Sequence, residues 1–236
     1  MTALIPGDLP GPVWVAAPHP DDEALGCGGL IAALTDAGRD VWALLLSDGG
    51  GSHPTSRTYP RGRLVEARLA EWRAGLAELG VPPARTRALG LPDGELQDYS
   101  DAVVRGAATA FREGPPGTLL LPWARDPHPD HRAVWDPLRA AAREFPGVRL
   151  LAYTVWLDER GEPGDRPQPG ETRPLTLDVA PWLERKRRAI LAHRTQLGLI
   201  PDDPHGFTLP ESLIELALTG RETYHEPLPL PQEVPA

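Results

Sequence analysis

The sequence predicts a single α/β domain whose mostly parallel sheet is covered by helices on both faces. Three observations predict it. Short apolar runs alternate with longer helix-like stretches through most of the chain. The runs are apolar at nearly every position, as strands buried on both faces are, instead of alternating with polar residues. Of 236 residues, 41% are hydrophobic, enough to bury one sizeable core.

Residues 13–17 follow a Pro/Gly-rich lead and read as a buried strand. Residues 23–37 are rich in Ala and Leu and stop at Gly38, which predicts a helix. A second strand over 41–46 completes a βαβ unit. The polar, Gly-rich stretch 49–60 is long enough to be a rim or lid. Apolar residues at three- and four-residue spacing predict a helix over 61–79, ended by Gly80 and Pro82. A third strand covers 85–91 and turns at Pro92-Asp93-Gly94. A helix from Ser100 or Asp101 to Arg112 is broken by Gly114-Pro115-Pro116-Gly117. The fourth strand is 118–122, followed by a helix over 132–144 and a fifth strand over 149–157. Residues 158–174 read as a surface loop or hairpin and 175–179 as an edge strand. A helix from Asp178 or Pro181 through His193 and a short helix over 210–218 close the pattern. The βαβ core spans about 13–160, a C-terminal extension about 161–225, and a Pro-rich tail, expected extended or frayed, 226–236.

Composition excludes several roles. A net charge of −9 offers no electrostatic footprint for nucleic acid. No apolar run is long enough for a membrane span, and no basic-plus-apolar leader pattern is visible, so a cytoplasmic location is expected. The one cysteine, Cys27, lies within Gly26-Cys27-Gly28-Gly29 and reads as a small buried residue in a reducing compartment. That glycine cluster lacks the dinucleotide-loop spacing, and Ser47 and Ser52 lack a nucleophile-elbow motif. The basic run Arg185 to Arg188 reads as a solvated helix face, and His193, His205 and His225 as structural or surface residues.

Two segments carry chemistry. His19-Pro20-Asp21-Asp22-Glu23 and His128-Pro129-Asp130-His131 each follow a strand and open a helix. In a parallel sheet both emerge at the carboxyl ends of the strands, where such folds place ligands. An Asp at a helix start caps free amides, but capping does not call for a His, two Asp and a Glu together. Three imidazoles and three aspartates form an inventory for zinc or another borderline ion, and a carboxylate left off the metal would serve as general base.

Ala17-Pro18-His19-Pro20-Asp21-Asp22-Glu23 resembles the signature of the LmbE-like, or PIG-L-type, de-N-acetylases. Ser47-Asp48-Gly49, Arg63-Leu64-Val65-Glu66, Leu91-Pro92-Asp93-Gly94, His128-Pro129-Asp130-His131 and the 186–196 stretch resemble further segments of that family in the same order. The resemblance implies a Rossmann-like sheet and a zinc-dependent hydrolase removing acetyl from an N-acetylglucosamine-containing conjugate, a small-molecule substrate. It implies that His19, Asp22 and His131 bind Zn2+, with Fe2+ as another candidate. Asp21 would then be the general base, and a protonated His128 the oxyanion partner, oriented by Asp130. Arg63, Asp48 and Arg57 are candidate substrate contacts. Two alternatives share this inventory: a non-catalytic, metal-dependent carbohydrate-binding module, and an amidase acting on a different amide. A homo-oligomeric assembly is left open.

Overall fold

The computed structural model describes residues 2–228. The chain runs through β1 (Thr2–Ala3), β2 (Val13–Ala17), α1 (Asp22–Asp36), β3 (Val41–Ser47), α2 (Arg61–Glu78), β4 (Thr86–Leu91), α3 (Ser100–Glu113), β5 (Thr118–Pro122) and α4 (Pro129–Ala142). It continues through β6 (Arg149–Tyr153), α5 (Leu157–Arg160), β7 (Thr172–Asp178), α6 (Leu183–Leu191), α7 (Glu211–Ala217) and β8 (Arg221–Pro227). One eight-stranded sheet holds them in the order β1-β7-β8-β6-β5-β2-β3-β4. Every pairing is parallel except those of β8 with β6 and β7.

Successive strand residues point to opposite faces, and both faces are apolar. Val13, Val15, Ala17, Ala43 and Leu45 meet Leu30, Leu34, Trp72 and Ile190 of α1, α2 and α6 on one side. Trp14, Ala16, Leu44 and Leu119 meet Val103, Phe111 and Leu138 of α3 and α4 on the other. The chain first steps outward from β2 to β3 and β4, then returns to β2's other side through β5 and β6. The gap between β2 and β5 is therefore a topological switch point, where the loops leaving the two strands diverge and open a crevice.

The differences from the sequence-based expectations have local causes. β6 stops at Tyr153 and Leu157 begins a helical turn. Helix α4 starts at Pro129, three residues early, because proline fits the first helical position without losing a needed N–H. The expected edge strand is β7, which lies inside the sheet, because β1 and β8 flank it. β8 falls on the extension and the start of the expected tail; its inward positions are Glu222 and Tyr224, and a buried glutamate hides the alternation. Residues 229–236 of the expected tail lie outside the described residues.

Glu222 is buried because its partners are complete. Its oxygens accept the α1 amides of Gly29 at 2.7 Å and Leu30 at 2.8 Å, the Tyr224 hydroxyl at 2.7 Å and Lys186 Nζ at 2.8 Å. Lys186, expected on a solvated face, is thus interior. The α1 glycines allow this packing: a Cβ on Gly28 would stand 2.8 Å from Lys186 Cγ, and one on Gly29 would overlap Val179. Gly29→Ala is expected to destabilise the fold by about 1–3 kcal/mol through overpacking. Gly62→Ala, whose Cβ would enter open space at an exposed position in the first turn of α2, should be neutral or add about 0.5 kcal/mol. Denaturant unfolding of the two variants checks the contrast.

Candidate metal centre and active site

The turn after β2 carries the first half of the site. Asp21 is the N-cap of α1, with its carbonyl accepting the Ala24 and Leu25 amides, each at 3.0 Å. Its side chain caps nothing. The residue has φ 142°, the one positive φ among the described non-glycine residues, a conformation costing about 1–3 kcal/mol. Asp22 also leaves the helix amides free: its Oδ2 accepts the His19 amide at 2.8 Å.

The turn after β5 brings the second half. Asp22 Oδ2 lies 3.1 Å from His19 Nδ1 and 3.1 Å from His131 Nε2, so one oxygen faces both strand ends. Each ring rests its other nitrogen on a further carboxylate. His19 Nε2 is 3.0 Å from Asp130 and 3.3 Å from Asp93, and His131 Nδ1 is 3.1 Å from Asp126. This is the outer shell that fixes ring orientation and raises basicity in metal-binding histidines.

Asp130 differs from its expected role. Its carboxylate holds His19 and the amides of Gly94 and Leu96, at 2.9 and 3.1 Å, and it is the Asp130 backbone N–H that meets His128, donating to Nδ1 at 3.2 Å. A neutral His128 therefore carries its proton on Nε2. Burial and the neighbouring His19 and His131 lower its pKa to about 4, which favours the neutral ring.

The residues fit a divalent cation. Both ring nitrogens of fully buried His131 lack hydrogen-bond partners despite the carboxylates beside them. With a carboxylate at both nitrogens of each ring, the cluster is satisfied by doubly protonated rings or by a shared cation in place of the two protons that face Asp22. Although burial opposes it, Asp22 and Asp126 raise the His131 pKa to about 9, so the two carboxylates favour positive charge here. His19, His128 and His131 also bring ring nitrogens within 4.8 Å of one another. Within that group, His128 Nδ1 already accepts the Asp130 amide, which leaves its Nε2 free.

Asp21 lies beside this centre. Burial, working against the Arg68 guanidinium, pushes its pKa up to about 7, near the value suited to a general base at neutral pH. Arg68 is itself buried and donates to the carbonyls of Gly49 and Pro20, each at 3.0 Å, and to Asp21 at 3.3 Å.

A cavity of about 290 Å³ opens over the centre. His19, Asp21, Asp22, Asp93, His128 and Arg68 form its polar floor. Its walls include Leu25, Trp156, Phe207 and Leu209. Arg63, Asp48 and Arg57 are not among the lining residues. Arg63 donates to the Thr58 carbonyl and stacks on Tyr59, and Asp48 pairs with Arg61. The Arg57 amide is bound to Asp202. Sequence reasoning missed Arg68, Asp93 and Asp126. A signal existed for the first: Arg68-Leu69-Ala70-Glu71 repeats the Arg-x-x-Glu spacing on the helix face that turns inward.

A histidine–carboxylate centre at the switch point of a doubly wound sheet defines a candidate metallohydrolase class. The family model described as PIG-L, GlcNAc-PI de-N-acetylase, matches residues 14–142, and the chain belongs to that family. A 1D-myo-inositol 2-acetamido-2-deoxy-alpha-D-glucopyranoside deacetylase of Saccharomonospora viridis is 30% identical over 226 residues, 78% of this chain and 84% of that protein. A diacetylchitobiose deacetylase of Thermococcus kodakarensis is 41% identical over 118 residues, covering 49% of this chain and 43% of that relative. The match thus spans under half of the second relative's length. Among solved structures, that of the A40926 pseudoaglycone deacetylase aligns with TM-score 0.70 at 23% identity, over 94% of this chain and 98% of that one; this likeness shows the fold.

The loop expected as a rim reaches the cavity at Gly51 and Ser52 and is pinned beyond it at residues 56–58. Asp202 accepts the Arg57 and Thr58 amides at 2.9 Å each and the Ser56 and Thr58 hydroxyls at 2.8 Å each. These donors, the Thr58 amide foremost, hold its carboxyl well below the usual carboxylate range. The stabilisation is therefore complete above the unfolded pKa of about 3.9 and is lost as pH falls through the folded value. Asp202→Ala is expected to lower the protection of the Arg57 and Thr58 amides against exchange while β2 to β5 stay protected, and in wild type the same protection should decline progressively as pH falls below about 4. Residue-resolved hydrogen exchange reads both.

Proposed function

We propose that the chain is a divalent-metal de-N-acetylase that releases acetate from an N-acetylglucosamine-containing conjugate. The observation that carries the proposal is the single Asp22 oxygen 3.1 Å from both His19 Nδ1 and His131 Nε2, beside a strained carboxylate that caps nothing. His19, Asp22 and His131 would hold the ion. Nitrogen–oxygen ligation of this kind suits zinc and also admits iron(II). The bound ion would polarise the acetamide carbonyl and make a water acidic enough to attack near neutral pH.

The chain's own residues supply the rest. Asp21, held by Arg68, takes the proton of the attacking water. His128 offers Nε2–H to the carbonyl oxygen as negative charge develops there, the electrostatic stabilisation that usually dominates acyl transfer. Its backbone tie to the Asp130 amide fixes both ring and tautomer. The proton accepted by Asp21 is then available to the departing amine. Asp126 is a positioning residue: it abuts His131 and accepts the Val155 and Trp156 amides, at 2.9 and 3.0 Å. A pure carbohydrate-binding module has no use for a carboxylate at Asp21 in so costly a conformation. Among the described residues no helix is long and apolar enough to cross a membrane. The buried, unpaired Cys27 suits the reducing cytoplasm.

Asp21→Asn is expected to keep the metal and to lose about 10²-fold or more in acetate release from N-acetylglucosaminides. Undiminished turnover would remove Asp21 from the mechanism. His19→Ala, Asp22→Ala and His131→Ala should each come off the column with little bound metal, while His128→Ala keeps it and loses kcat. Metal loss from His128→Ala with retention in His131→Ala would exchange the two histidines. Asp126→Ala is expected to weaken metal binding about 10–100-fold, measured by competition with a chelating dye.

A further inference from the structure

The cavity mouth holds a cation that the proposed chemistry does not use. Arg160 ends α5 and lines the cavity, with its guanidinium carbon 4.1 Å from the centroid of the Trp156 ring. Trp156 is 6% exposed, and its amide is tied to Asp126, the carboxylate that abuts His131. The Arg160 amide in turn donates to the Trp156 carbonyl at 2.8 Å. Arg160 is thus placed on a platform fixed relative to the metal centre.

Its acidic neighbours are engaged elsewhere. Asp158 pairs with Arg166 at 2.9 Å, and Glu159 accepts the Ser212 hydroxyl at 3.2 Å. The other arginine of the cavity, Arg68, is taken up by two carbonyls and by Asp21 and Asp93. Among the described lining residues, Arg160 is therefore the cation without a protein partner. Stacking on the indole covers one face of the guanidinium and leaves its N–H edges free, the geometry that suits a bidentate carboxylate or phosphate. Arg160 is exposed, and Phe207, Leu209 and Leu25 add apolar wall to the same cavity. A chain of net charge −9 repels anions at long range, so a cation at the mouth answers a specific need.

We propose that Arg160 on Trp156 is an anion subsite, and that the substrate carries a carboxylate or phosphate on the group attached to its N-acetylated amino sugar. The proposal rests on the deacetylase reading above and names the class of conjugate. A neutral glycoside leaves the Arg160 N–H edges in water and gains nothing from them.

The test measures binding and turnover in parallel on metal-loaded wild type and Arg160→Gln. The probes are a methyl N-acetylglucosaminide, N-acetylglucosaminyl malate and N-acetylglucosamine 1-phosphate, with their deacetylated amines for calorimetry. Wild type should bind at least one anionic amine about ten-fold or more tighter than the methyl amine, the scale of a charged hydrogen-bonded pair. In Arg160→Gln the anionic-to-neutral ratio should fall to about one. The probe that carries the margin separates carboxylate from phosphate. Equal wild-type affinities for all three amines, or a margin that survives Arg160→Gln, overturn the subsite. Acetate release without an anionic margin sinks the subsite and leaves the deacetylase standing. A margin without acetate release from any probe does the reverse.

Discussion

One carboxylate oxygen joins the two halves of the molecule's chemistry. Asp22 Oδ2 faces an imidazole from the turn after β2 and another from the turn after β5. These strands are neighbours in the sheet, but their helices cover opposite faces. The turns can meet only where the winding reverses. A parallel sheet with a single reversal creates one such place, and the charged groups of both motifs converge there.

Gathering so many charges costs solvation, and the surroundings show how the cost is met. Asp126 and Asp130 each accept two or more backbone amides besides meeting a histidine. Arg68 spends its guanidinium on two carbonyls and on Asp21 and Asp93. Buried charges survive when their remaining hydrogen-bonding capacity is filled. The same rule operates on the other side of α1, where Glu222 and Lys186 are paired and the glutamate is saturated by amides and a hydroxyl. The rule has exceptions: the His131 nitrogens are left without hydrogen bonds between Asp22 and Asp126, and the buried Glu23 and His193 side chains are unsatisfied as well.

Much of this was legible in the sequence, and the illegible parts share a cause. Strands β2, β3 and β5 are continuous apolar runs between turn signals, and position alone places the two His-Pro-Asp segments at their ends. β8 was hidden because burial there belongs to a glutamate, whose partners on α1 and α6 are distant in sequence. Asp126 was hidden for the same reason: its role is defined by amides at Val155 and Trp156, on another strand end. Arg63 and Arg68 both begin an Arg-x-x-Glu pattern on one helix, and only the packing of α2 against the sheet decides which turns inward. Patterns local to one segment are readable, whereas satisfaction of a buried charge by a remote segment is not.

Asp21 shows how far the site is a compromise. Glycine would adopt φ 142° without strain, and serine or asparagine would serve the helix start as well, since the Asp21 side chain makes no capping bond. Each would also spare the fold a buried carboxylate. The conformation is held by constraints on both sides: the Asp21 carbonyl is fixed by two α1 amides, and Arg68 grips the Pro20 carbonyl and the Asp21 side chain. The backbone is thus bent so that consecutive aspartates diverge, Asp22 toward the two histidines and Asp21 toward Arg68. In regular helical geometry neighbouring side chains also diverge, by about 100° around the axis. The strained φ adds placement of the first carboxylate before the helix begins, against the cavity floor. Strain, burial and a raised pKa fall on one residue, the combination that the proposed role of Asp21 as general base calls for.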